Sequence, residues 1–493
     1  MNTTIWFILF ILSVSLAGIT YISLKVSTET HLFTTELPTS REFHGIVKIK
    51  ESLKKNPNYP NTLFIAQFIK ENSNNRLKDN ERIFISVRTD AFSDELFSIG
   101  NTISLRGLHS YITRNNTNRF GNTLRQKNVY SKITHVKSAQ LVHLSEETFI
   151  HQLRSQFIHT LELGAPKNKD FEGIYKAMLI GQKQDLSEKQ KKLYIQTGTM
   201  HLFAVSGLHI GIITLFILQF LKLIRLPETV LPIITLSTIF VFILIIGSPP
   251  SALRAFLMIT IYWLSFIAHR QPNPFSALIL SAILLLIINP WQLLSEGFKL
   301  SYSVVGTLLL LGLPLNDWLQ SKCQLFKWLP KDNWTTTHKA ISCSVKSLIL
   351  ATTISFAAWI GSIAICFKLF GYVSSGAILA NVLLIQIASL AILTGIVSLG
   401  VSFLNLTSVS EFLNHSAWLI ISAMNDLLMI VQKLPFPALE KQSNEEFPSD
   451  WIQVAFWCLL IFSYHMNSKK HLSALLIPVI ILLVSILIIA QNA

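Results

Sequence analysis

The chain reads as a polytopic α-helical membrane protein with about eleven spans, carrying a small external β-barrel domain. Three observations predict this. It has 493 residues, of which 51% are hydrophobic and only 14% charged; a soluble domain carries about a quarter charged residues. Apolar runs recur from residue 200 to the end. Residues 25–200 break that pattern, with 26 Lys+Arg against 17 Asp+Glu and short alternating apolar stretches.

Residues 5–24 are apolar and long enough to cross a hydrocarbon core of about 30 Å. The start, Met-Asn-Thr-Thr, has no Lys or Arg, so 1–28 is read as an uncleaved anchor rather than a signal peptide. Residues 29–145 hold the runs Phe43–Lys50, Leu63–Ile69, Arg82–Arg88, Ile103–Arg106 and Val136–Val142, separated by polar segments such as 71–80 and 113–128. Five strands in about 100 residues predict a small barrel of OB type. From Glu146 the spacing of Phe149, Leu153, Phe157, Ile158 and Leu161 predicts an amphipathic helical connector over 146–199. The rest, 200–493, reads as spans at 200–221, 229–247, 251–268, 275–289, 300–314, 347–367, 373–403, 411–432, 451–466 and 472–490.

Lysine and arginine in the short loops give the orientation. With the N-terminus inside, ten fall in inside loops (Lys222, Arg225, Arg270, Lys322, Lys327, Lys331, Lys339, Lys346, Lys469, Lys470) and four outside (Lys299, Lys368, Lys433, Lys441). This places 25–199 outside the cytoplasmic membrane. The excess of base, a formal +14 with pI about 9.5, suits anionic lipid or nucleic acid. The cysteines Cys323, Cys343, Cys366 and Cys458 form no CxxC pair and read as packing residues, without metal or disulfide.

The most unusual stretch is Gly198-Thr199-Met200-His201-Leu202-Phe203-Ala204-Val205-Ser206-Gly207-Leu208-His209-Ile210-Gly211. Ionisable groups at the head of an apolar span cost free energy and need a reason. A helix from about His201 would put His201 and His209 about 80° apart on one surface. Gly207 and Gly211 form a GxxxG that permits close helix approach. A generic reading is two interfacial histidines over a packing face. Ser206 lacks a G-x-S-x-G elbow, and two histidines without a carboxylate make a poor metal site.

This run resembles the signature of the ComEC family of bacterial DNA-uptake channels. The approach Met178-Leu179-Ile180-Gly181-Gln182 is similar to the family's, and so are three later blocks: Ile246–Met258 with Arg254, Glu296-Gly297-Phe298-Lys299-Leu300-Ser301-Tyr302, and Gly376-Ala377-Ile378-Leu379-Ala380-Asn381. Gln386 stands where the family usually has a proline. The chain holds no His-x-His-x-Asp-His signature of the metallo-β-lactamase-like domain of long members, and no P-loop. The resemblance therefore implies a channel and not an enzyme, without cofactor or metal. By the same resemblance it is expected to pass single-stranded DNA inward during transformation, beside an external DNA receptor, a cytoplasmic helicase-type ATPase, membrane lipids and, in one reading, a second copy of itself. A transporter of another anionic substrate is the alternative reading; a membrane-embedded enzyme ranks last, because no nucleophile–base–acid set stands out. His201, Ser206, Gly207, His209, Gly211, Arg254, Glu296 and Asn381 are the expected channel residues. Arg254 either snorkels or meets phosphate, and Asn381 reads as an interhelical hydrogen-bonder. On the barrel, Lys48, Lys50, Arg82, Arg88 and Arg106 are candidate phosphate contacts. Phe64 and Phe84, with Phe43 and Phe68, are candidate stacking platforms.

Overall fold

The computed structural model describes residues 41–53, 61–71, 80–88, 100–111, 129–143, 149–165, 169–436, 438–440, 449–466 and 477–484, with positions 18, 96, 97, 124, 127 and 486. The expected spans at 5–24 and, for the most part, 472–490 lie outside the described residues. The molecule divides into two compact units, one holding the barrel and the other the helices from Leu153 onward, apart from 283–295.

The barrel is built from β1 Arg41–Leu53, β2 Asn61–Glu71, β3 Arg82–Arg88, β4 Thr102–Tyr111 and β5 Val129–His143. It closes in the order β1-β2-β3-β5-β4, with β3 and β5 parallel and every other pair antiparallel. This is the connectivity expected of an OB-type barrel. Alternation decides the faces of β1: Phe43, Val47 and Ile49 point inward while Lys48 and Lys50 are exposed. Gly107 is required where β4 meets β5, because a β-carbon there would lie 2.8 Å from Ile133 Cγ2.

Burial corrects the four aromatic candidates. Phe43, Phe64 and Phe68 fill the interior, with Phe64 stacked on Phe97 at 5.0 Å. Phe84 points outward but is covered, together with its strand partner Ile65, by Leu124 and Val129. None presents a face to a nucleobase. The run Ile83-Phe84-Ile85 is apolar at successive positions because β3 is buried on both sides.

The helices begin with α1 Phe149–Glu162, α2 Lys169–Ile180 and α3 Glu188–Gln196. Then come α4 Gly207–Leu223, α5 Leu231–Ile245, α6 Pro250–Ile267, α7 Pro274–Ile288, α8 Glu296–Lys322, α9 Thr336–Phe370, α10 Gly376–Ser402, α11 Thr407–Lys433 and α12 Ser449–Met466. Among the described residues, α6, α8, α9 and α10 are long and apolar enough to cross a membrane. α4, α5, α7 and part of α12 are shorter apolar helices. Two expected spans, 300–314 and 347–367, are longer in the structure, since α8 continues through a π turn at Leu308–Gly312 and α9 starts at Thr336. Side chains such as Leu215, Leu223, Leu404, Phe412 and Leu419 are exposed, an apolar surface that lipid would cover. Hydroxyls of Thr214, Thr260, Thr307 and Ser389 donate to carbonyls one turn back, which satisfies them inside apolar helices.

The connector helices are tied into this unit by polar groups. Asn414 of α11 donates to the carbonyls of Thr160 and Leu163 and accepts from Ser398 and Tyr175. Lys176 of α2 meets Glu172 at 2.7 Å and Glu162 and Asp185 at 2.9 Å. Burial works to lower the pKa of this ammonium, but the three carboxylates outweigh it and raise it above the ordinary lysine value. Three of the four cysteines, Cys323, Cys343 and Cys458, are exposed rather than packed.

Candidate functional site

The signature run is a folded turn and then a helix, not one helix. Gly198 ends α3 in the left-handed region (φ +69°). A β-carbon there would lie 2.5 Å from Ala377 Cβ, so only glycine lets the turn sit on the start of α10. The Thr197 and Thr199 hydroxyls are 2.9 Å apart, and Thr197 donates to the Leu193 carbonyl. A 3₁₀ turn, Met200–Phe203, follows. It buries Leu202 and Phe203, with the Phe203 ring 4.3 Å from Tyr194. His201 lies in this turn and His209 in α4, so one helix does not carry both, although the two rings stay close enough to interact electrostatically. The glycine and two threonines stop the helix before it can run from His201 to His209.

Ser206 is the N-cap of α4. Its backbone N–H donates to His209 Nδ1 at 3.3 Å, and its Oγ lies 2.8 Å from the same nitrogen. Nδ1 therefore accepts, the Ser206 hydroxyl donates to it, and the neutral ring carries its proton on Nε2. Such a cap stabilises a helix start by about 1 kcal/mol. His209 is only 1% exposed; its ring meets the Leu202 carbonyl, but Nε2 forms no well-aligned hydrogen bond. In this geometry Ser206 serves as the N-cap of α4. A β-carbon on Gly207 would make ordinary contact with Ala255 of α6 at 3.5 Å, whereas Gly211 has nothing within 4 Å. Gly211 is therefore not the helix-packing position that the GxxxG spacing suggested.

The other expected residues sit on neighbouring helices. Pro249 and Pro250 start α6 after Gly247 (φ +87°) and Ser248 (φ +51°). Ser251 Oγ donates to the Val205 carbonyl at 2.5 Å, which fastens the signature turn to α6. One turn on, Arg254 is buried at 5% exposure and does not snorkel. Its Nη2 donates to the Gly297 carbonyl at 3.0 Å, and its Nε is unpaired. Glu296 opens α8, within 3.3 Å of Lys368 and 3.6 Å of Lys299, and its Oε2 is buried without a hydrogen bond. Asn381 is buried one turn after Ala377, on the face of α10 that meets Gly198, and its Oδ1 is unpaired.

Four expected residues thus share one property. His209, Arg254, Glu296 and Asn381 each have a buried polar atom without a well-formed hydrogen bond, an arrangement that costs free energy unless something else fills it. They ride on helices packed in series, α10 on α4, α4 on α6 and α6 on α8. No hydrogen bond joins the four side chains. Among the described residues, no three His, Cys, Asp or Glu side chains converge as metal ligands. On the barrel, Lys48, Lys50, Arg82, Arg88 and Arg106 are all exposed. Lys48 pairs across with Gln67 and Thr102, and Arg106 with His44 and Ser138, so polar side chains surround both cations.

Sequence reasoning missed a second polar knot. Ser303 of α8 donates to the Gly361 carbonyl at 2.6 Å and accepts from Gln453 at 2.6 Å and Trp457 at 3.1 Å. Gln453, polar within an apolar helix, was the available signal.

Comparison with known proteins bears on these helices. A family model described as "Competence protein" matches residues 178–470, more than half of the chain. ComE operon protein 3 of Bacillus subtilis (strain 168) is 31% identical over 141 residues, 29% of this chain and 18% of that protein. An uncharacterized protein of Aquifex aeolicus (strain VF5) is 28% identical over 145 residues, 29% of this chain and 34% of that protein. The matched stretches thus span well under two thirds of either relative. No solved structure matches the chain.

Proposed function

Since this chain belongs to the competence protein family, we propose that it passes single-stranded DNA across the cytoplasmic membrane during natural transformation. One observation carries the reading. The helical unit keeps His209, Arg254 and Asn381 buried and Glu296 half-buried, each with a buried polar atom that lacks a well-formed hydrogen bond, and all four fall in blocks that resemble the family's motifs. Unpaired donors and acceptors in series suit a path for a polar cargo, and an arginine suits phosphate oxygens. In this reading the barrel lies outside and gathers DNA by its backbone. Lys48, Lys50, Arg82, Arg88 and Arg106 supply charge, and the buried phenylalanines supply no stacking. An external receptor brings the DNA, and a cytoplasmic ATPase draws it in, since the chain has no P-loop. The competing cargo is another anionic substrate.

Complementation tests the reading. The gene is expressed in a transformable host whose own channel is deleted, and transformants, surface-bound DNA and internalised DNA are counted. Restored transformation, lost again with Arg254→Leu while surface-bound DNA persists, is the expected result. Full expression in the membrane with no transformants, in a host that its own gene rescues, would overturn it. Replacing Lys48, Lys50 and Arg106 by Glu should weaken DNA binding by the purified full-length protein and flatten its dependence on salt.

A further inference from the structure

The segment between α8 and α9 is a built surface element. Both helices are long and apolar enough to cross a bilayer, so 323–335 lies at the end of two candidate spans. It is pinned from within. Phe326 adopts a left-handed backbone (φ +56°). Its ring packs edge-on against Trp334 at 5.9 Å and His338 at 4.7 Å. Trp334 Nε1 donates to the Leu329 carbonyl at 3.2 Å, and the Leu329 N–H donates to the Phe326 carbonyl at 2.9 Å. Thr335 caps α9 together with His338.

This arrangement packs the Phe326 and Trp334 rings against each other and leaves Trp328 and Leu325 outside. Trp328 is 78% exposed and Leu325 37% exposed. Exposed cations flank them, Lys322 and Lys327 in the segment and Lys339 at the start of α9, and Asp332 is the opposing charge. An ordered turn that holds a tryptophan outward pays a solvation cost in water. At a bilayer surface the cost disappears, because the indole ring favours the headgroup level and lysine pairs with lipid phosphate.

We propose that residues 322–334 are an interfacial anchor for an anionic leaflet. Trp328 and Leu325 enter the headgroup region, Lys322 and Lys327 contact lipid phosphates, and α8 and α9 are thereby held at a fixed depth. The anchor does not depend on which cargo the protein carries. A single-stranded nucleic acid stacked on Trp328, or a second copy of the chain, would be different occupants of the same face, and charge beside two membrane-length helices favours lipid.

The full chain supplies its own probe site, since Cys323 is exposed at the end of α8. With Cys343, Cys366 and Cys458 replaced by Ser, an environment-sensitive dye is attached at Cys323. The protein is placed in nanodiscs of phosphatidylcholine, with or without phosphatidylglycerol. The expected result is a blue-shifted emission and quenching by shallow spin-labelled lipid, both stronger with phosphatidylglycerol. Trp328→Ser should cut the quenching at least about two-fold, and Lys322→Glu with Lys327→Glu should remove its lipid dependence. Trp328 is too exposed for its loss to unfold the chain; equal melting temperatures of the variants check this. Quenching that ignores both lipid charge and Trp328→Ser overturns the proposal. So does a blue shift that appears only on adding oligothymidine, or only when two copies share a disc.

Discussion

At the level of single residues, His209 sets the problem. Its ring caps a helix through Nδ1 and is buried with no well-aligned hydrogen bond at Nε2. Leucine fills similar space without an unpaired donor, although the backbone N–H of Ser206 then loses its acceptor. His209→Leu should therefore leave membrane levels and melting temperature close to wild type, while transformation by the complemented host falls at least about ten-fold. Normal transformation at normal expression would reduce the signature to helix capping. Ser206, His209, Arg254 and Asn381 were legible in the sequence as polar residues in apolar runs. Their unpaired atoms were not, because pairing depends on partners from other helices. One buried barrel histidine was passed over altogether. His109 is 2% exposed with Nε2 unpaired, and burial, with Arg41 adding to it, pulls its pKa down to about 4. An unfolded histidine titrates near 6.5. Between pH 6.5 and 4 the unfolded chain thus binds a proton that the folded barrel refuses. Stability is full above that window and falls by as much as about 3 kcal/mol as pH drops through it. Proteolysis of residues 41–143 in the full chain should accelerate at pH 5 relative to pH 7. His109→Phe should flatten that difference.

Among elements, period two and apolar run length predicted the strands and most helices, because burial on one face writes itself into the sequence. β3 escaped this rule, since Leu124 and Val129 cover its outer side, and the stacking role given to Phe84 failed with it. The turn at 197–206 escaped because Gly198 and the Thr197–Thr199 pair act through local geometry rather than periodicity. The packing of α8 against α12 and α9 was illegible as well, for it depends on glycines that are neutral in any hydropathy pattern. A β-carbon at Gly306 would lie 2.0 Å from the Trp457 ring, and one at Gly361 would lie 2.8 Å from Thr307 Oγ1. These glycines bring Ser303, Gln453 and Trp457 within bonding distance. Gly306→Leu should expel Trp457 and lower stability in detergent by about 1–3 kcal/mol, the usual penalty of overpacking. Adding Trp457→Ala should recover part of the loss, because it vacates the space the leucine needs. Unchanged melting of Gly306→Leu would show that α12 docks elsewhere.

For the molecule as a whole, the question is which side of the membrane each unit faces. Loop charge answered ten to four for a cytoplasmic N-terminus, but it counted Lys339 and Lys346 as loop residues. Both belong to α9, a helix of 35 residues. At 1.5 Å per residue it is about 52 Å long, well beyond a core of about 30 Å. Its first three turns can therefore stand clear of the hydrocarbon, and they carry both lysines, exposed. Lysines at the end of a span count as lysines of the adjoining loop, so both still weigh with the loop they flank. The barrel should then face outward and the 323–335 turn inward. Two single-cysteine proteins test this, one keeping native Cys323 and one carrying Gln140→Cys on the exposed side of β5. In intact spheroplasts an impermeant maleimide should label position 140 and spare 323, and permeabilisation should expose 323. The reverse pattern would turn the protein over and place the basic barrel in the cytoplasm. There it could receive DNA only after passage, and the order of events proposed above would have to be inverted.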